Sequence, residues 1–80
     1  GRPHNFDYKT ALQELVQRKK DQLLHYELTG ESGPDHDKHF DVEVLLNGKP
    51  VGKGTGSSKK RAEQSAAENA IERLFPGELD

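Results

Sequence analysis

The sequence predicts an α+β domain of element order α-β-β-β-α, with two helices packed on one face of a three-stranded antiparallel sheet. Three observations predict this class: apolar residues at helical spacing near both ends, strict alternation in the middle, and an Asn-Gly pair between two alternating stretches. A chain of 80 residues holds one small core. It has no cysteine, so its stability depends on packing and not on disulfides.

The first element is a helix, predicted over residues 7–20. Asp7 is placed to cap its first turn. One face of this helix is apolar, with Tyr8, Leu12, Leu15 and Val16. The other face carries hydrogen-bonding side chains, namely Thr10, Gln13, Glu14 and Gln17. Residues 1–6 show no periodicity and are predicted to be a linker or a remnant of cloning.

The central segment predicts three strands. Residues 24–29 alternate apolar and polar side chains, whereas residues 30–39 are rich in glycine, acids and histidine and predict a loop. Alternation then resumes strictly over residues 40–47. Asn47-Gly48 is a strong hairpin signal, because both central positions of a type I′ turn need positive φ. The third strand is predicted over residues 51–56, with the neighbouring Pro50 indicating an edge position.

The last element is a second helix that Ser57 or Ser58 can cap. Its apolar stripe is made mostly of small residues, namely Ala62, Ala66, Ala67, Ala70, Ile71 and Leu74. Small side chains allow a helix to lie close to a sheet. Pro76-Gly77 ends the helix, so the domain is predicted over residues 7–75 and residues 76–80 are predicted to fray.

Composition argues against a membrane protein. Charged residues (32%) slightly outnumber hydrophobic ones (30%), and no apolar run approaches the roughly 18 residues that a membrane helix needs. No secretory leader pattern is present at the amino terminus. Together with the lack of cysteine, this fits a reducing compartment, and we expect a cytoplasmic protein without a membrane partner.

Motifs for catalysis and metal binding are weak. Gly52, Gly54 and Gly56 do not have the spacing of a phosphate-binding loop, and more simply let a short strand twist and turn into the second helix. His36 and His39 have Lys38 between them and no cysteine or third histidine nearby, so no metal site is expected. The many carboxylates lie at alternating strand positions or helix ends. No catalytic residue and no cofactor is therefore predicted within this chain.

Charge is distributed unevenly along the chain. The formal net charge is −2, yet residues 49–62 hold five Lys or Arg and no acid. These cations are Lys49, Lys53, Lys59, Lys60 and Arg61. A solvated charged face is the simpler explanation of such a run. However, cations in the first turn of a helix oppose its dipole, whereas the unpaired amides there favour anions. The arrangement suits a bound phosphate.

Several separated motifs together resemble the double-stranded RNA-binding domain family, and most closely the carboxy-terminal domain of bacterial ribonuclease III. The motifs are Tyr8-Lys9-Thr10 with Leu12-Gln13-Glu14, Gly33-Pro34-Asp35-His36 before Phe40, the Gly-x-Gly-x-Gly strand end, and Ser58-Lys59-Lys60-x-Ala62-Glu63-Gln64-x-Ala66-Ala67. They occur in the order and spacing of that family, from about residue 6 to residue 75.

The resemblance implies sequence-tolerant binding of A-form RNA across two minor grooves and the phosphates between them. It implies that Thr10, Gln13 and Glu14 meet ribose hydroxyls and base edges in one minor groove, and that Pro34 and His36 enter the next. It implies that Ser58, Lys59 and Lys60 contact phosphates, with Lys53 and Arg61 as weaker candidates. Glu63 departs from the family pattern, because a basic residue often stands there, so one phosphate contact is expected to be missing.

The resemblance also implies what the rest of such a protein does. The parent is expected to be a metal-dependent endoribonuclease specific for double strands, with Mg²⁺ in a nuclease domain that this chain does not contain. We expect the isolated domain to be monomeric and the parent to be a homodimer. The alternative is a protein-interaction domain on the same fold without RNA binding. A small complete enzyme is a further alternative, but so short a chain can hardly enclose a pocket.

Overall fold

A computed structural model describes residues 5–79. The predicted linker therefore lies outside the described residues at positions 1–4, as does Asp80 of the predicted tail. The elements are α1 (Tyr8–Val16), β1 (Leu24–Ser32), β2 (His39–Leu46), β3 (Lys49–Gly56) and α2 (Lys59–Leu74). The predicted α+β class and element order are confirmed.

The sheet is an antiparallel meander in the order β1-β2-β3. Its central rung pairs Tyr26 of β1 with Val44 of β2, and Val44 with Gly52 of β3. The β2–β3 hairpin turns at Asn47 and Gly48, whose φ angles of 54° and 84° confirm the positive-φ turn that the Asn-Gly pair predicts. Pro50 lies on an edge strand, as its missing amide proton requires.

The core lies between the sheet and the two helices. Leu12 of α1 and Val44 of β2 are its largest fully buried side chains, and the alanine stripe of α2 is buried beside them. The helix α2 lies so close to β3 that a Cβ atom on Gly54 would stand 2.3 Å from the Ala66 nitrogen. The alternating glycines of β3 therefore make room for the α2 backbone, which is a more specific role than the strand twist expected from sequence.

The first helix is shorter than predicted, because it ends at Val16 and not at residue 20. The amides of Arg18 and Lys19 bond three residues back, to Leu15 and Val16, so the last turn tightens. Residues 17–22 contain no apolar side chain, and Leu23 after them is 70% exposed. Asp21 in this segment adopts a φ of 61°. Polar side chains facing water give this segment no packing energy to extend the helix.

Strand bounds also differ from the prediction. The first strand extends to Ser32, beyond the predicted residue 29, and an irregularity between Leu28 and Gly30 shifts its register. The loop after β1 covers only residues 33–38, not the predicted 30–39. The polar residues 30–32 continue the strand because their backbone groups pair with β2. Leu74, which the stripe places in the core, is 40% exposed because it is the last residue of α2.

Residues flanking the predicted domain make contacts in the structure. Phe6 and Leu79 are partly buried and pack against the core. The Glu78 carboxylate lies 2.5 Å from the Arg18 guanidinium, so the segment after α2 is held near the end of α1. Among residues 5–79, no helix is long and apolar enough to cross a membrane.

Candidate nucleic-acid interface

The polar face of α1 presents three of the predicted site residues. Thr10 and Glu14 are exposed and four residues apart, so they lie on the same side of the helix, and Gln13 beside them is half-buried. The Asp7 carboxylate caps the helix by accepting from the Thr10 amide at 3.1 Å. It also accepts from the Thr10 hydroxyl at 2.7 Å. The capping interaction therefore fixes the rotamer of a predicted site residue.

The β1–β2 connection is a tight polar turn. The Asp37 amide donates to the Pro34 carbonyl at 2.9 Å, which closes the turn and leaves Pro34 and His36 exposed. Gly33 precedes it with a φ of 90°, and a Cβ atom there would stand 2.3 Å from the Asp37 carbonyl oxygen. Lys38 reaches back to the Glu31 carboxylate at 3.3 Å. The turn thus presents a proline ring and an imidazole on a closed backbone.

The first turn of α2 carries the predicted phosphate-binding cluster. Ser58 is the N-cap, and its hydroxyl oxygen accepts from the Arg61 amide at 3.1 Å. Lys59, Lys60 and Arg61 are exposed. No ion pair found among residues 5–79 includes any of these three cations. Their charge is therefore not neutralised within the described part of the chain.

Contacts between the two helices bring the polar face of α1 close to the first turn of α2. The Gln64 amide group donates to Asp7 at 2.9 Å and accepts from the Tyr8 backbone amide at 2.6 Å. Lys9 of α1 lies 2.6 Å from the Glu63 carboxylate of α2. The two helices thus begin side by side, and the Thr10 end of α1 lies next to the cationic turn of α2.

The β1–β2 turn is the remaining surface. Phe40, near the start of β2, pairs with Gly56 at the end of β3. The β1–β2 turn therefore emerges at the sheet end from which the chain enters α2. The first turn of α2 therefore lies beside the start of α1 and follows the sheet end from which the turn with Pro34 and His36 emerges.

Lys53 does not belong to this arrangement. It alternates with Gly52 and Gly54, which both face α2, so it lies on the opposite face of β3. There it stands across from Glu43 of β2 in the strand register. The structure thus separates this weaker candidate from Lys59 and Lys60, whereas it keeps Arg61 beside them.

Glu63 occupies the position at which the resemblance leads us to expect a basic residue. Its pairing with Lys9 links α2 to α1, and the Lys9 ammonium also lies 4.8 Å from the centre of the Tyr26 ring. Sequence reasoning missed Lys9 and Gln64 as parts of the site, because each pairs with a residue more than fifty positions away. Opposite charges on the two predicted helices were a signal for the pair of Lys9 with Glu63, and Gln64 carries no charge that could give one.

Two pKa shifts mark the junction of the helices. Hydrogen bonds from the Gln64 amide group, then from the Thr10 amide and hydroxyl, lower the pKa of Asp7 to about 2. Burial, and then the negative charges of Glu63 and Asp7, raise the pKa of Tyr26 to about 12. At neutral pH the Asp7 side chain is therefore a carboxylate and Tyr26 is a neutral phenol. Neither shift produces a group that titrates near pH 7, as acid–base catalysis would need.

The described residues contain no group of three His, Cys, Asp or Glu side chains that could hold a metal ion. Two acids of the sheet lie close to nearby side chains, Glu31 to Lys38 and Glu27 to His25.

Comparisons with known proteins give matches over most of the chain. The family model described as "Double-stranded RNA binding motif" matches residues 8–74. A protein named Ribonuclease 3 from Listeria monocytogenes serovar 1/2a is 57% identical over 69 residues, which are 86% of this chain and 30% of that protein. A Ribonuclease 3 from Streptococcus pneumoniae is 58% identical over 67 residues, which are 84% of this chain and 29% of that protein. The chain spans about 30% of the length of these curated relatives.

Proposed function

Because the chain belongs to the double-stranded RNA-binding motif family, we propose that it grips A-form RNA across two successive minor grooves and the intervening phosphates. Three surfaces support the proposal: the polar face of α1, the β1–β2 turn, and the first turn of α2. In this proposal the polar face of α1 and the β1–β2 turn each enter a minor groove, and the cationic turn contacts the phosphates between them. Binding of this kind reads shape and sugar more than base sequence.

The cationic turn carries the proposal. Lys59, Lys60 and Arg61 are exposed and make no ion pair among residues 5–79, although they oppose the dipole of their own helix. Each such cation costs a few tenths of a kcal/mol in helix stability. A bound phosphate would offset this loss of helix stability, because it would accept hydrogen bonds from the ammonium groups and from the free amides of the first turn. Ser58 would add a hydroxyl proton, since its oxygen already caps the helix.

Helix α1 supplies hydrogen-bonding groups to one minor groove in this proposal. Glu14 is exposed and carries a negative charge, which phosphate would repel. A carboxylate can instead accept from a ribose 2′-hydroxyl, a group that DNA lacks. Gln13 can both donate and accept, which suits base edges that vary in sequence. The resemblance to the family assigns Pro34 and His36, on the closed β1–β2 turn, to the second minor groove.

The number of available cations sets the expected salt dependence. Glu63 is paired with Lys9, so that helix position offers no phosphate contact. With two or three phosphate contacts, log affinity should fall against log salt with a slope of roughly −1.4 to −2.7. The affinity should therefore be modest and fall with rising ionic strength.

A comparison of three duplexes tests this function. RNA duplex, RNA:DNA hybrid and DNA duplex of one sequence and length are titrated with the chain by calorimetry at low salt. We expect the RNA duplex to bind tightest, the hybrid less tightly and DNA weakest, because successive 2′-hydroxyls are lost. Equal binding of RNA and DNA would show that the ribose hydroxyls are not read and would refute the minor-groove part of the proposal.

We further propose that the domain works within a longer protein of the ribonuclease III type, as the similarity to two Ribonuclease 3 proteins supports. There it would hold duplex RNA against a nuclease domain outside this sequence, whose acidic residues would bind Mg²⁺. Such a parent would be a cytoplasmic homodimer, whereas the isolated domain would be monomeric. The test is to mix the chain with duplex RNA and Mg²⁺: intact RNA is expected, and cleavage would place catalysis within these residues.

A further inference from the structure

A connected set of hydrogen bonds begins on α2 and ends at the Thr10 hydroxyl. The Gln64 Nε2 atom donates to Asp7 Oδ1 at 2.9 Å, and Gln64 Oε1 accepts from the Tyr8 amide at 2.6 Å. Asp7 Oδ1 also accepts from the Thr10 amide at 3.1 Å. The other carboxylate oxygen, Oδ2, lies 2.7 Å from Thr10 Oγ1. Both helices therefore hold this carboxylate in place against one hydroxyl group.

The ionisation of Asp7 decides the direction of the bond to Thr10. Donors from Gln64 and Thr10 lower the pKa of this carboxyl to about 2, so it is ionised at neutral pH. An ionised carboxylate has no proton to donate. The proton between Oδ2 and Oγ1 therefore belongs to the Thr10 hydroxyl. Thr10 is exposed, and toward solvent it presents only oxygen lone pairs.

We propose that Asp7 is a positioning residue that fixes Thr10 as a hydrogen-bond acceptor, so that this end of α1 selects a ligand group that donates. On the groove surface of RNA, the ribose 2′-hydroxyl is a donor that DNA does not have. The inference rests on the proposed function and specifies the group that this part of the interface recognises. It assigns roles to Asp7 and Gln64, neither of which needs to touch RNA.

Glu14 gives the same preference one helical turn further along. It lies four residues after Thr10, on the same side of α1, and its carboxylate can only accept. Two acceptors thus follow one another along the exposed face of the helix. Such a surface favours a ligand with a row of hydrogen-bond donors. A deoxyribose has only hydrogen at the 2′ position and cannot donate to these acceptors.

The Asp7→Asn variant reverses the bond while keeping the cap. Asparagine caps helices about as well as aspartate, and its Oδ1 atom can still accept from the Thr10 amide and from Gln64. Its Nδ2 group then faces Thr10 Oγ1 and donates to it. The Thr10 proton must turn outward, so the hydroxyl becomes a donor toward solvent. Thermal unfolding of this variant checks that the fold is kept.

The measurement compares two duplexes of one sequence. One is RNA, and the other is 2′-fluoro-substituted, which stays A-form but has no ribose hydroxyl to donate. Loss of one hydrogen bond is expected to lower the affinity of Asp7→Asn for RNA by about three- to ten-fold and to leave binding of the fluoro duplex unchanged. Guanine amino groups are the same in both duplexes, so their contribution cancels.

Two further variants show whether Asp7 acts through Thr10. Thr10→Val keeps the branched shape but removes the hydroxyl, and should reduce RNA binding by a similar factor. The double variant Asp7→Asn with Thr10→Val should lose no more than Thr10→Val alone, because residues acting through one bond are not additive. Asp21→Asn makes the same change of charge after the end of α1, where φ is 61°, and should bind RNA like the parent sequence.

The outcomes separate this inference from the proposed function. If the unmodified chain prefers RNA over the fluoro duplex and that preference falls by about three- to ten-fold in Asp7→Asn, the inference stands. Two results would show that Asp7 does not fix Thr10 as an acceptor. One is that Asp7→Asn folds and keeps the full preference for RNA, and the other is that the affinity losses of Asp7→Asn and Thr10→Val add up in the double variant. If the unmodified chain fails to bind RNA at all, the proposed function itself fails.

Discussion

Removal of Lys59 and Lys60 together should weaken RNA binding and slightly stabilise the fold. Both ammonium groups are exposed at the N-terminus of α2 and make no ion pair among residues 5–79. A pair of unit charges about 4 Å apart in water interacts by ~1 kcal/mol, so losing two phosphate contacts costs about 2 kcal/mol, or roughly 30-fold in affinity. Relief of the helix dipole should raise the free energy of unfolding by a few tenths of a kcal/mol per residue.

The assay is a titration of Lys59→Ala/Lys60→Ala with duplex RNA over a range of salt concentrations. The slope of log affinity against log salt should become shallower by roughly 1.4 to 1.8, because two phosphates are no longer neutralised. Lys19→Ala/Lys20→Ala is the matched control: it removes the same charge from exposed residues after the end of α1. Affinities within two-fold of each other for the two double variants would refute the assignment of α2 to the phosphates.

Three further predictions follow from contacts at the helix junction and the sheet. Glu63→Lys should break the pair with Lys9, costing under about 1 kcal/mol of stability for this partly exposed pair. The added cation should also steepen the slope of log RNA affinity against log salt concentration by roughly 0.7 to 0.9, because one more phosphate is neutralised. An unchanged slope would show that position 63 does not face RNA. Gly54→Ala should destabilise the fold by about 1–3 kcal/mol in urea unfolding, because its Cβ would meet the α2 backbone at 2.3 Å; wild-type stability would contradict the close packing. The raised pKa of Tyr26, about 12 against about 10 for an unfolded tyrosine, favours the neutral phenol. Its stabilising effect should be complete below pH 10 and be lost as the pH rises to 12; a Tyr26→Phe variant lacks this loss, and identical pH profiles would be evidence against burial of the phenol.

Local patterns in the sequence determined the elements of this protein. Apolar spacing, strict alternation and the Asn47-Gly48 pair depend on residues within a few positions of each other, so they can be read without knowing the fold. The same holds for the capping residues Asp7 and Ser58, whose hydrogen bonds close within one turn. The family motifs carried the expectation of duplex RNA binding, because they combine several such local patterns in a fixed order.

Only the tertiary structure decided how the elements meet. The partners of Lys9 and Gln64 lie more than fifty residues away in the chain, and no periodicity reveals such pairs. Likewise, the end of α1 at Val16 depended on where burial stops, because a helix continues only while its face has something to pack against. The direction of the Thr10 hydroxyl depends on a carboxylate held from the other helix, since hydrogen bonds are directional and require positions that only the assembled fold provides.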